Sequence, residues 1–298
     1  MGTPSYATVI LKALIEQEDI EVVSLITQSD KPVGRKQILT PPDTKRYILH
    51  EDLKVDIFQP LTLRDEESIA YIKSKKPDFI VVAAYGQILP KEVLCIAPCI
   101  NLHASLLPKY RGASPIQSAI LDQNHYSGVT AMEMDVGLDT GDILGYSVLD
   151  IRDKDAICLF EDLSHLAAQL CIKTLQNFTK IQPIPQISAD SSYAKKISKS
   201  DGEVCFDDAS KVYAKYLAFI FWPGIFTKSG LKLKKISLYS TEGEHKEGEI
   251  IKILDDTILV SCIKGVLEIA QVQPPSKKAM GVVDYIRGKR LGIGDTLS

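Results

Sequence analysis

Residues Asp78 to Ala84 read Asp-Phe-Ile-Val-Val-Ala-Ala, an acidic residue followed by an unbroken apolar run. A strand with one wet face alternates polar and apolar side chains. A continuous run needs cover on both faces, as in a parallel sheet held between helices. The flanking chain repeats this logic. Apolar spacing at Val9, Ile10, Ala13 and Leu14 predicts a helix over Ala7 to Gln17. The β-branched stretch Glu21 to Thr27 predicts a strand, and a second helix–strand pair ends near Val55 to Phe58. Asp65 to Lys75 reads as helix and Cys99 to His103 as a short strand. Helices alternating with apolar strands define an α/β fold with an open, mostly parallel, Rossmann-like sheet. Ligands of such sheets gather outside the carboxyl ends of the strands.

The pattern changes along the chain. Gln28 to Pro42, with two Pro clusters, a Gly and basic residues, reads as a long loop. Strands are predicted at Val129 to Met134 and Ile143 to Asp150, and a long helix at Asp155 to Lys180. Gln182 to Ser200 is rich in Pro, Ser, Ala and Lys and reads as a linker. After Val204 come a helix near Ala209 to Phe219 and short strands at Leu231 to Tyr239, Gly248 to Leu254, Thr257 to Ile263 and Val266 to Gln273. These suggest a small barrel. The expected division is residues 1–184, a linker at 185–203, and a C-terminal domain at 204–298.

Net charge is −3, an unpromising balance for a nucleic-acid binder, but the charge is unevenly placed. Cys205 to Ser298 hold 14 Lys and Arg against 11 Asp and Glu, a balance of +3; the remainder hold 21 against 27, a balance of −6. The basic excess in the C-terminal part hints at a polyanionic partner there. No apolar run approaches the roughly 20 residues of a membrane span. No secretory signal stands at Met1-Gly2-Thr3-Pro4. The six cysteines are scattered, and the one close pair, Cys95 and Cys99, has no second Cys/His pair beside it. Buried free thiols in a reducing compartment are expected.

Asn101 and His103 stand two apart at the end of an apolar strand, so both side chains share one face. They fall where the sheet rule places a site. Asp139 lies in a Gly-flanked turn, Gly137-Leu138-Asp139-Thr140-Gly141, and can supply a carboxylate that orients and charges an imidazole. An amide donor, an imidazole and a carboxylate together can hold an oxyanion and move a proton. A lone His on a strand is usually structural, and a lone Leu-Asp-Thr-Gly occurs in unrelated proteins. His50, His125, His165 and His245 have no comparable setting.

Asn101-x-His103-x-Ser105-Leu106-Leu107-Pro108 together with Leu138-Asp139-Thr140-Gly141 resembles the signature of the folate-dependent formyltransferases. Further matching segments are Lys31-Pro32-x-Gly34-Arg35, Ala84-Tyr85-Gly86-Gln87-Ile88-Leu89-Pro90, Gln273-Pro274-Pro275-Ser276-Lys277-Lys278 and Gly288-Lys289-Arg290-Leu291. This ordered set covers nearly the whole chain and is most similar to the branch that acts on methionine carried by initiator tRNA. The resemblance implies 10-formyltetrahydrofolate as formyl donor, the methionine α-amine as acceptor, and no metal. It implies catalytic roles for Asn101, His103 and Asp139. Ser105, Leu106, Leu107 and Pro108, with Gln87, Ile88 and Leu89, would contact the folate, although Ile88 and Leu89 could equally be core. Arg35 would contact tRNA, and the C-terminal barrel would be OB-like and bind tRNA. A cytoplasmic, monomeric protein is expected.

Met1-Gly2-Thr3-Pro4 resembles the turn after the first strand of that family, yet no strand precedes it. Either the chain begins upstream of Met1 or the sheet lacks a central strand; a sheet without one buries poorly, so the N-terminal boundary is suspect. Two other functions share many of these features. One is formyl transfer to a small amine such as glycinamide ribonucleotide or an amino sugar. The other is RNA binding without catalysis.

Overall fold

The computed structural model describes residues 1–34 and 36–297, in two compact units. The first holds most of the chain up to Lys195, and the second holds Lys196 to Ser298 with two short earlier segments.

In chain order the elements up to Lys195 are α1 (Ser5–Ile15), β1 (Ser24–Ile26), β2 (Lys31–Val33), β3 (Ile38–Thr40), α2 (Asp43–His50), β4 (Asp56–Phe58), α3 (Glu66–Ser74), β5 (Ile80–Val82), α4 (Lys91–Leu94), β6 (Cys99–His103), β7 (Arg111–Gly112), α5 (Pro115–Leu121), β8 (Tyr126–Glu133), β9 (Ile143–Asp150), α6 (Ala156–Asn177) and β10 (Tyr193–Ala194). β1 pairs with β4 and β5 with β6, both in parallel. β8 then pairs antiparallel with both β6 and β9. Met1 and Gly2 join the two halves. Gly2 N donates to Ile26 O at 3.0 Å, and Ala83 N donates to Met1 O at 2.9 Å. A cleft of about 620 Å³ lies beside them, lined by Ser24, Leu25, Phe79 and Val81 among others.

Period-2 alternation explains how helices cover both faces. On β1, Leu25 packs with Leu11 of α1 and Ile48 of α2. Its neighbour Ile26 packs on the other side with Ile72 of α3, Val93 of α4, and Ile80 and Val82 of β5. Each fully buried Leu or Ile contributes roughly 1.5–3 kcal/mol. Asp65 caps α3 by accepting from Ser68 N at 2.6 Å. In α6, Leu159, Leu163, Ala167 and Cys171 recur every fourth position and are fully buried, the stripe that an amphipathic helix presents.

Two readings change. Gln28 to Pro42 is not simply a loop, because β2 and β3 pair antiparallel within it, Pro32 opposite Leu39. A proline is tolerated there because a two-stranded ribbon consists only of edges. The stretch 185–203 is not featureless either. β10 pairs in parallel with β7, and Arg111 N and Ala113 N donate to Ser192 O and Ala194 O at 2.9 and 2.8 Å.

The second unit contains α7 (Ala209–Ala218), β11 (Ile225–Phe226), β12 (Lys232–Glu244), β13 (Ile250–Ile253), β14 (Ile258–Ser261), β15 (Lys264–Gln273), β16 (Met280–Gly281) and α8 (Val282–Lys289). The strands form an antiparallel sheet in the order β11-β12-β15-β14-β13, with β16 also on β15. No pairing joins β13 back to β11 among the described residues. The expected barrel is therefore an open, β-rich sheet here. α7 packs on β12 and β15, and α8 on β15. Register shifts in β12 near Leu233 to Ile236 leave Lys234 and Lys235 both exposed while Leu233 and Ile236 stay buried, as a bulge does.

Half of the thiol expectation holds. Cys99, Cys171 and Cys262 are buried, whereas Cys95, Cys158 and Cys205 are exposed. No helix among the described residues is long and apolar enough to cross a membrane.

Candidate active site

β6 is buried along its whole length, and pairing puts Val82 of β5 opposite Asn101. Because β5 and β6 are parallel, the segments leaving both strands emerge at one edge of the sheet. Ala83 to Leu89 leaves β5 there, and Ala104 to Pro108 leaves β6.

Asn101, His103 and Asp139 converge at this edge, each under 10% exposed (9%, 7% and 9%). Asn101 Nδ2 donates to Asp139 Oδ1 at 3.3 Å. His103 Nδ1 lies 3.6 Å from Asp139 Oδ2, which also accepts from Gly112 N at 2.8 Å. The other imidazole nitrogen, Nε2, lies 2.8 Å from Tyr110 O. A carbonyl oxygen can only accept, so Nε2 bears the proton. A second proton on the ring would sit on Nδ1, facing the carboxylate.

The Asp139 turn is shaped by its own sequence. Asp135 Oδ1 accepts from Gly137 N at 2.9 Å and from Thr140 Oγ1 at 2.6 Å. A Cβ on Gly141 would stand 1.8 Å from Glu133 O, so only glycine fits. Asp139 itself adopts φ 54°, the left-handed region that costs a non-glycine residue about 1–2 kcal/mol.

The Ser105 to Pro108 loop is pinned by side-chain hydroxyls that bond its backbone groups. Thr130 Oγ1 donates to Ser105 O at 2.6 Å and accepts from Leu107 N at 3.0 Å. Ser105 Oγ donates to Lys109 O at 2.6 Å, and Tyr146 OH donates to Leu107 O at 2.9 Å. The side chain of Leu107 belongs to the core, packed with Met132 and Ile143, while Leu106 and Pro108 are half-buried. On the other segment Leu89 is core, packed with Ile26 and Leu63, and Ile88 is exposed. Gln87 is half-buried, its Nε2 3.4 Å from Pro60 O. Exposed apolar side chains at Ile88, Val136 and Leu138 stand on the segments around the cluster. Arg35 lies outside the described residues. Lys228, Lys232, Lys234, Lys235, Lys277, Lys278, Arg287, Lys289 and Arg290 are all exposed in the second unit.

Two further residues belong to this neighbourhood and carried no sequence signal of a role. Gln186 Nε2 donates to Asp139 O at 3.0 Å and to Gly141 O at 2.8 Å. Its Oε1 accepts from Nε and Nη2 of the buried Arg111, at 3.1 and 2.7 Å. Gln186 sits in a Pro-rich stretch with no periodicity to mark it.

An α/β sheet whose carboxyl edge gathers an amide, an imidazole and a carboxylate is equipped for transfer at a carbonyl carbon. The profile described as "Formyl transferase" matches residues 1–172, and "Formyl transferase, C-terminal domain" matches residues 196–290. The chain belongs to the formyl transferase family. It is 59% identical over 297 residues to a Nitratiruptor protein named methionyl-tRNA formyltransferase, covering 99% of this chain and 98% of that one. A Helicobacter pylori protein of the same name is 52% identical over 301 residues, covering 100% and 98%. Among solved structures, HypX from Aquifex aeolicus in complex with tetrahydrofolic acid superposes with a TM-score of 0.62 at 17% identity, over 93% of this chain. This chain spans about half of HypX, 49% of its length, and that likeness speaks to fold alone.

Proposed function

We propose that this chain moves the formyl group of 10-formyltetrahydrofolate onto the α-amine of methionine carried by initiator tRNA. The observation that carries this reading is the buried Asn101–Asp139–His103 cluster in a chain that aligns end to end with proteins named for that reaction.

In this transfer the amine nitrogen bonds to the formyl carbon, and the bond from that carbon to N10 of the folate breaks. The amine gives up a proton and N10 takes one. Asn101 has two amide N–H groups, of which one reaches Asp139. We assign the second to the formyl oxygen as it gains charge, a contribution of about 3–4 kcal/mol to the barrier for a donor of this kind. His103 is held at Nε2 by Tyr110 O, which fixes the ring. Its role is to support the same oxygen and to move the proton. Asp139 is assigned to receive the proton of the attacking amine and to balance charge on the imidazole.

The pterin is assigned to the surface between Gln87-Ile88-Leu89 and Ser105-Leu106-Leu107-Pro108. Leu89 and Leu107 are core side chains, so their part is to shape the wall and present backbone groups, while Ile88 and Leu106 offer apolar contact. Arg35 is assigned to the acceptor end of tRNA, where a guanidinium can meet phosphates or stack on a base. The functional division is residues 1–184 for catalysis, 185–203 between, and 204–298 for tRNA. The OB-like reading of the second unit rests on its bulged antiparallel sheet and exposed lysines. A cytoplasmic, monomeric protein completes the assignment.

The test offers purified protein 10-formyltetrahydrofolate with Met-initiator tRNA, Met-elongator tRNA and glycinamide ribonucleotide in parallel. Preferential formylation of Met-initiator tRNA is expected. Equal or faster turnover of glycinamide ribonucleotide would overturn the reading.

A further inference from the structure

We infer that Gln186 is a positioning residue that fixes the catalytic turn from behind, through the backbone of Asp139. This inference rests on the proposed role of Asp139. The carboxylate of Asp139 is held in front by Asn101 Nδ2 and Gly112 N. Those contacts grip the side chain and not the backbone, which adopts the left-handed conformation at φ 54°. Gln186 holds the backbone directly. Its two amide hydrogens go to two carbonyls of the same turn, Asp139 O and Gly141 O, at 3.0 and 2.8 Å.

Chemistry fixes which end of the amide faces which partner. Arg111 has only donors, so the atom facing it must be the amide oxygen. Carbonyls only accept, so the atom facing Asp139 and Gly141 must be the amide nitrogen. The orientation is thereby determined from both sides. Both amide hydrogens are used, and the oxygen takes two hydrogens from one guanidinium. Arg111 is 3% exposed, and it anchors Gln186 against the neighbouring strand. The residue after Arg111 is Gly112, whose N–H binds the Asp139 carboxylate. One short chain of contacts therefore grips Asp139 at its backbone and at its side chain.

Gln186 is itself anchored on both sides in sequence. Ile184 exchanges two hydrogen bonds with Ile143, at 2.8 and 2.9 Å, just past the Asp139 turn. On the other side, Ser192 Oγ accepts from Tyr110 N at 2.9 Å, and Tyr110 is the residue whose carbonyl meets His103. The strap that holds Gln186 thus also steadies the backbone behind the imidazole.

The test compares Gln186→Ala with Gln186→Glu in the full chain. Glu keeps an acceptor for Arg111 and gains an ion pair, but it presents oxygen, not N–H, to the carbonyls of Asp139 and Gly141. If Gln186 served only to accept from Arg111, Gln186→Glu would keep full kcat. As a positioning residue, both variants should lose on the order of a hundredfold in kcat, as expected when a reacting group drifts by about 1 Å. The folate dissociation constant, read by fluorescence quenching, should stay within about twofold. Crystal structures of both variants give a readout independent of turnover. The Asp139 carboxylate should move away from Asn101 and His103. An unmoved Asp139, or full kcat in Gln186→Glu beside an active parent, would overturn the inference. An inactive parent would sink the proposed function instead, and the crystal structures would still decide the part played by Gln186.

Discussion

The side-chain amide of Asn101 donates to Oδ1 of Asp139 across 3.3 Å, although 38 residues separate the two in the chain. That contact joins the strand-borne half of the site to the turn-borne half. It also leaves the opposite carboxylate oxygen to Gly112 N and to the imidazole of His103. The three side chains therefore act as one unit, and each substitution should disturb the other two.

Asn101→Ala, His103→Ala and Asp139→Ala should each lower kcat by on the order of a hundredfold or more, with a smaller effect on folate affinity. Their effects should fall well short of additive, because groups that act together do not partition independently. Steady-state kinetics on the single and double variants measure this. A variant with near-parental kcat removes its residue from the mechanism.

How much of this was legible in the sequence depends on distance along the chain. Asn101 and His103 could be paired from period-2 spacing alone, since a strand puts positions two apart on one face. Asp139 was visible because its turn needs Gly137 and Gly141. Gln186 was not, because its partners lie 75, 47 and 45 residues away and nothing local marks the meeting. Leu107 and Leu89 show another limit. A leucine at a strand end reads alike whether it faces ligand or core, and here both side chains face core. The pairing of β2 with β3 was hidden by prolines that normally mark loops. Strand content of the second unit was readable, but strand order and the lack of closure were not, because they are set by which edges meet.

Gly141→Ala should damage both stability and activity. Its Cβ would meet Glu133 O at 1.8 Å, a backbone atom that cannot step aside cheaply. The turn would have to open, pulling Asp139 from its partners. A loss of about 2 kcal/mol or more by chemical denaturation is expected, together with a fall in kcat. Parental stability in this variant would mean that the turn is more plastic than its close approach implies.

Tyr85 is 2% exposed, and its hydroxyl has no hydrogen-bond partner among the described residues. Burial pushes its pKa up to about 12. A buried hydroxyl without a partner costs about 1–3 kcal/mol, so Tyr85→Phe should hold or raise Tm. A clear fall in Tm would contradict this account of the hydroxyl.

Burial raises the Cys99, Cys171 and Cys262 thiols to about 12 each. The thiolate is the reactive form, so these three should resist alkylation at about pH 8 in the native protein. Cys95, Cys158 and Cys205 are exposed and should label first. Mass spectrometry after a short pulse should find label confined to those three, and full labelling only after denaturation. Rapid native labelling at Cys171 would contradict the burial.

The basic face of the second unit can be tested in the intact chain. Lys232, Lys234 and Lys235 are exposed on β12, two of them thrown outward together by the bulge. If each neutralises one tRNA phosphate, the log–log dependence of affinity on salt has a slope of roughly −0.9 per contact on duplex. Changing all three to Gln should flatten that slope by about two to three and weaken tRNA binding most at low salt. At saturating tRNA, kcat should be kept if these side chains serve capture and not chemistry. Arg35→Ala should likewise raise KM for tRNA while folate affinity stays put. Titrating tRNA into both variants at several salt concentrations separates the contributions. An unchanged slope in the triple variant would move the tRNA-binding face away from β12 and toward Lys277, Lys278 and the α8 cations Arg287 and Lys289, whose neutralisation would then be the next measurement.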